Sequence, residues 1–331
     1  MRAVAVLLTL LPTLLIGPPA EAGMPDQLGL PIDCEPGKDC WILRYVDHDP
    51  GPGVRDYMCG ALTGDGHKGT DIAIRDLEVM ARGVEVRAAA AGVVDALRDG
   101  MPDISVEQGG RAAIAGKECG NAIRIAHGED WTTWYCHLRR GSLLVARGDE
   151  VAAGQPLGLV GLSGETSFPH VHFDIRHGEQ VIDPFVGPEP GPDCGPGKHP
   201  LWRADVMAAL AYQPVVLANA GFAPAAPELA DVERGWHQRA AMPATAPALV
   251  LWVEAFWLAA GDRARFTISG PDGAPVVDRP IELDKGWQHW FQFVGARRPG
   301  ATWPAGSYTG TVTLERAGDP PLTLQRRAEL H

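Results

Sequence analysis

The chain has 331 residues, with 29 Lys and Arg against 41 Asp and Glu, giving a net charge of −12. That length suits two domains, and a hydrophobic share of 45% excludes a disordered chain. The acidic balance excludes the basic surface that nucleic acid or an anionic membrane would need.

Residues 1–22 read as a secretory signal peptide: Arg2, an apolar run from Ala3 to Ile16, then Ala20-Glu21-Ala22 as a small-x-small cleavage site. No later segment is apolar enough to span a membrane, so none is expected after cleavage. Six cysteines, an even number in an exported chain, point to disulfides and an oxidising, periplasmic or extracellular location. Residues 23–60 are turn-rich and hold three of them, Cys34, Cys40 and Cys59. Residues 61–187 carry short apolar runs punctuated by glycine, an all-β signature. Within them, Asn121–Ala126 and Trp131–Leu138 read as a hairpin around 127–130. A turn centred between His127 and Gly128 sets Cys119 opposite Cys136, close enough for a bridge. The partners of Cys34, Cys40, Cys59 and Cys194 stay open.

Residues 188–241 read as a boundary and linker, with one strand between Asp205 and Ala241. Residues 242–331 hold five strand candidates, Leu249–Trp257, Ala264–Ser269, Trp287–Val294, Tyr308–Glu315 and Leu322–Gln325, and predict an immunoglobulin-like β-sandwich. Its aromatics, Trp252, Phe256, Trp257, Trp287, Trp290 and Phe291, are a sugar platform or, as alternating strand aromatics more often are, core.

The chemistry concentrates in four of the 11 histidines. His48, His127, His177, His199, His237, His289 and His331 read as structural or solvated. In Gly66-His67-Lys68-Gly69-Thr70-Asp71, a loop curling at Gly69 turns an imidazole and a carboxylate to one point; alone, it reads as a capped turn. In Pro169-His170-Val171-His172-Phe173-Asp174-Ile175, strict alternation sends Val171, Phe173 and Ile175 into a core. His170, His172 and Asp174 then face a cleft. In Tyr135-Cys136-His137-Leu138, His137 projects away from the bridge. Combined, His67, Asp71 and His172 give the three-ligand, one-open-position set of a catalytic zinc. His137 and His170 remain as free imidazoles for proton transfer.

These motifs, H-x-G-x-D, Y-x-H-L and H-x-H-F in that order, resemble the lysostaphin-type (LytM, glycyl-glycine endopeptidase) zinc metallopeptidases. The glycine-rich runs around Gly92 and from Gly148 to Gly161 are similar to that family too. The resemblance covers about residues 58–185. It implies an all-β fold: an antiparallel metallopeptidase sheet with a central groove, barrel-sandwich hybrid-like, before the C-terminal sandwich. It also implies His67, Asp71 and His172 as zinc ligands, His137 and His170 as catalytic histidines, and peptidoglycan as substrate, the D-alanyl-diaminopimelate cross-link being preferred. Metal-bound water would attack the scissile carbonyl, with His170 taking the proton and His137 stabilising the tetrahedral intermediate, or the reverse. Asp174 is a candidate orienter of His172. The alternative is a non-catalytic or autoinhibited envelope protein that regulates another wall hydrolase. A biotinyl-type carrier module lacks its Met-Lys hairpin tip.

Overall fold

The computed structural model describes residues 23, 25, 27–189, 191, 194–236 and 240–331. The expected signal peptide, 1–22, and His237 lie outside them. Among the described residues, no helix is long and apolar enough to cross a membrane.

In chain order the first unit comprises β1 (Cys40–Arg44), β2 (Thr70–Ile74), α1 (Leu77–Arg82), β3 (Glu85–Arg87), β4 (Gly92–Arg98) and α2 (Val106–Gly109). There follow β5 (Asn121–Gly128), β6 (Trp131–Leu138), β7 (Glu150–Val151), β8 (Pro156–Leu159), β9 (His170–His177) and β10 (Gln180–Val181). After α3 (Ala204–Ala209), whose Val206 packs in the core of the first unit, the second comprises β11 (Val216–Ala223), α4 (Leu229–Glu233) and β12 (Ala241–Met242). It continues with β13 (Ala248–Leu258), β14 (Arg263–Ser269), β15 (Pro275–Glu282), β16 (Trp287–Arg297), β17 (Gly306–Glu315) and β18 (Leu322–Leu330).

The main sheet is antiparallel, in the order β1-β2-β9-β6-β5-β4-β7, with β10 paired to β9 and a separate β3-β8 ribbon. Strand β9 is central because it alternates: Val171, Phe173 and Ile175 are fully buried in the core, and His170, His172 and Asp174 point to the other face. The turn-rich, disulfide-containing segment at 23–60 packs into this unit. Strand β1 lies at the sheet edge, and Leu28 and Ile32 bridge to Trp202 and Val86.

The β5–β6 register differs from expectation. The turn is Glu129-Asp130, both residues at positive φ (47° and 61°), as a type I′ hairpin requires. Arg124 therefore faces Trp134 and Ile123 faces Tyr135, and Cys119 is not in the ladder opposite Cys136. The chain folds back at Gly120 (φ 65°), where a Cβ would lie 2.3 Å from the Ser163 carbonyl oxygen. This turn brings Cys119 to Cys136, and their disulfide forms beside the hairpin. The other bridges are Cys34–Cys40 and Cys59–Cys194.

The second unit is a β-sandwich. One sheet runs β11-β13-β16, the other β12-β18-β17-β14-β15. Pairing is antiparallel except at the two-residue β12. Strand β11 is the single strand expected between Asp205 and Ala241. Its pairing with β13 makes it a sandwich strand, so the sandwich starts near residue 216, before the expected 242. Strand β15 was not expected. Pro275 and Pro280 argue against a central strand, and both are tolerated because β15 is a sheet edge.

Strand β13 is buried on both faces. Leu249, Leu251, Val253 and Ala255 enter the inter-sheet core. Val250 and Trp252 pack with Val232 of α4 and Ala223, and Phe256 and Trp257 join the core of the first unit. Among the aromatics weighed as a sugar platform, Trp252, Phe256, Trp257 and Trp290 are buried; Trp287 is exposed.

Candidate metal centre

Asp71 in β2 stands opposite His172 in β9, so the ladder alone brings their side chains together. His172 Nδ1 lies 2.8 Å from Asp71 Oδ1. His67 reaches the same carboxylate from the preceding loop. Its Nδ1 donates to the Tyr45 carbonyl oxygen at 2.7 Å, which leaves the Nε2 lone pair 3.1 Å from Asp71 Oδ2. One ligand atom from each of His67, Asp71 and His172 lies within 4.8 Å of the others. Gly69 makes room for this set. A Cβ there would fall 2.8 Å from His172 Nε2 and 2.5 Å from the Phe173 carbonyl oxygen.

Asp174 Oδ2 lies 4.0 Å from His172 Nε2. Arg176 Nη2 donates to that same oxygen at 2.6 Å, and the Arg176 guanidinium rests over the Trp134 ring. Asp174 thus faces the His172 nitrogen that is turned away from Asp71.

The other two imidazoles stand beside the set, their centroids 4.7 Å apart. His170 Nδ1 donates to the Phe168 carbonyl oxygen at 2.8 Å, and His137 Nδ1 to the Ser163 carbonyl oxygen at 2.8 Å. Each bond fixes the proton on Nδ1 and leaves Nε2 as an acceptor. His170 Nε2 is 3.5 Å from Asp71 Oδ1. His137 holds a positive φ of 62° at the end of β6, the kind of local strain that a packed site maintains.

Electrostatics separates these groups. Burial pushes the Asp71 carboxyl up, but the electrostatic influence of the neighbouring His67, His170 and His172 imidazoles outweighs it and holds it well below the usual carboxylate range in the metal-free site. Burial lowers His137, and the neighbouring His170 and His172 charges push it further down, so it stays neutral. For His172, burial opposes the charged form, but Asp174 and Asp71 overcome it and raise the metal-free group to about 9.

All five side chains open onto a groove of about 550 Å³. Its walls include Leu43, Arg44, Lys68, Arg111, Trp134 and Arg176. Leu43, Arg44, Arg111 and Trp134 escape sequence reasoning because they arrive from separate loops and strands with no shared spacing. Two imidazole nitrogens and one carboxylate, held close by backbone bonds and strand register, fit zinc by donor type and number.

An antiparallel sheet carrying a His-Asp-His set and two further imidazoles in an open groove defines a metallopeptidase-like domain. Residues 65–184 match the family model described as Peptidase family M23; this part of the chain is an M23 peptidase domain. Among curated relatives, the uncharacterized lipoprotein YgeR of Escherichia coli K12 is 31% identical over 149 residues, covering 45% of this chain and 47% of that protein. The peptidoglycan DD-endopeptidase ShyA of Vibrio cholerae is 39% identical over 56 residues, covering 17% of this chain and 13% of that protein. The match spans less than half the length of each. Among solved structures, the catalytic domain of the prophage-encoded M23 protein EnpA from Enterococcus faecalis aligns at 24% identity. The TM-score is 0.31, with coverage of 44% of this chain and 90% of that chain.

Proposed function

We propose that the chain is an exported zinc-dependent endopeptidase that hydrolyses peptide cross-links of bacterial peptidoglycan, with D-alanyl-diaminopimelate as the bond cut. The observation that carries this reading is the convergence of His67, Asp71 and His172 beside two Nε2 acceptors in an open groove. The ShyA likeness supports the choice of bond. Three disulfides suit an oxidising envelope compartment.

His67 Nε2, the Asp71 carboxylate and His172 Nδ1 would hold the zinc. When bound, zinc supplies a Lewis acid that polarises a carbonyl and makes water a stronger acid. His170 Nε2 takes the proton of the attacking water, because it lies beside the Asp71 carboxylate while burial keeps His137 neutral. The water oxygen bonds to the scissile carbonyl carbon, the C–N bond breaks, and the His170 proton passes to the leaving amine. His137 lacks a proton at Nε2 in its neutral form. It therefore accepts a hydrogen bond from the attacking water, and donates to the oxyanion only after taking up a proton.

Among the described residues, none from α3 onward lines the groove. That openness, with all five positions filled, supports catalysis over the regulatory alternative. Zymography on purified peptidoglycan tests the reading. Clearing that disappears with chelator and returns with zinc is expected; clearing indifferent to chelator contradicts it.

A further inference from the structure

Glu254 is the one charged residue within the buried strand β13, and it is fully inaccessible. Its Oε1 accepts a hydrogen bond from His289 Nε2 at 2.7 Å. Its Oε2 is buried and has no hydrogen-bond partner. A fully buried carboxylate with a bare oxygen is costly unless something cationic meets it. Glu233 faces the same point from α4, which Val232 seats on β13 through Val250 and Trp252. One ligand atom from each of Glu233, Glu254 and His289 lies within 4.8 Å of the others.

The geometry points to a second metal site at Glu233, Glu254 and His289, separate from the groove and suited to a divalent transition ion such as zinc. One imidazole nitrogen with two carboxylates favours such an ion over calcium or magnesium, which take oxygen ligands. The ion would satisfy the bare Glu254 oxygen and replace the proton on His289 Nε2. The His289 imidazole is held in place by stacking on Phe256, with centroids 4.6 Å apart and planes 10° apart. Its side chain is 30% exposed, which gives an ion and a completing water a path from solvent. The site would pin α4 to β13 and β16.

Zinc counting on the untagged full-length chain tests this. The protein is stripped with chelator, dialysed against zinc chloride and measured by elemental mass spectrometry. Two equivalents are expected in the wild type and one in His67→Ala/Asp71→Ala. Glu233→Gln and His289→Asn should each also hold one, and His67→Ala/Asp71→Ala/Glu233→Gln none. In Glu233→Gln the remaining zinc at the groove reports that the chain is folded. Retention of two equivalents in both Glu233→Gln and His289→Asn overturns the inference. So does a wild type with one equivalent that His67→Ala/Asp71→Ala abolishes. If the groove reading alone is wrong, His67→Ala/Asp71→Ala leaves the zinc count unchanged while Glu233→Gln lowers it.

Discussion

Gly69 shows how much of the groove chemistry is steric. Its missing Cβ is the space that the His172 imidazole fills. Gly69→Ala should displace that ring and weaken zinc binding about 10–100-fold, the usual effect of disturbing a ligand's support, while the melting transition stays cooperative; zinc titration by calorimetry checks this. Alanine at His67, Asp71 or His172 should remove groove zinc and cleavage together. His170→Ala should keep that zinc and lower turnover by about 10²–10⁴-fold, the usual share of a general base. Metal analysis beside an assay on isolated cross-linked muropeptides separates the two classes. At this scale the sequence was informative wherever side chains carry the signal. The spacing His67 to Asp71 and the alternation from His170 to Asp174 are visible in one dimension. The carbonyls of Tyr45, Ser163 and Phe168, which fix which nitrogen of each imidazole is free, are backbone groups with no residue signature. His289 read as an ordinary histidine because Glu254 and Glu233 reach it from distant parts of the chain.

Among the elements, the β5–β6 hairpin was legible as two strands but not in register. Its turn uses Glu129 and Asp130 at positive φ, without the Asn-Gly or Asp-Gly pair that signals a type I′ turn. The disulfide was anticipated from a ladder position that Cys119 does not occupy; Gly120 supplies the geometry. Because Cys119–Cys136 closes a short loop of separation 17, Cys119→Ser/Cys136→Ser should cost about 3 kcal/mol in denaturant unfolding. The same hairpin contains a pH-sensitive group. His127 is buried between the Ala91 carbonyl oxygen and Thr133 Oγ1, and burial lowers it from 6.5. The folded state then binds fewer protons than the unfolded state just below that pH. Stability is therefore present above pH 6.5 and lost as pH falls below it. His127→Gln should flatten this slope by up to about 1.4 kcal/mol per pH unit, one proton's share, as read from unfolding at stepped pH.

Among the described residues, the two units share one packed core. Phe256 and Trp257 of β13 share a core with Trp41 and Phe168, and Trp257 Nε1 donates to the Leu43 carbonyl oxygen at 2.7 Å. Within the second unit, Arg316 holds the end of β13 by donating to the Trp257 and Pro214 carbonyl oxygens and to Asp262. The expected division at 188–241 follows a Pro- and Gly-rich composition, which marks turns but does not show that β11 pairs with β13. Trp257→Ala should cost about 3–5 kcal/mol, as removal of a buried aromatic does. Calorimetry should show a single transition in wild type and variant; two separated transitions in the wild type would contradict a shared core.

The most direct measurement is mass spectrometry of muropeptides released from purified peptidoglycan by the full chain, stripped of metal and then reloaded with zinc, beside Asp71→Ala treated identically. The account predicts that cross-linked dimers fall to monomers only with the zinc-reloaded wild type. Dimers cleaved equally by the stripped protein or by Asp71→Ala, or left intact by a wild type with zinc bound at His67, Asp71 and His172, would contradict it.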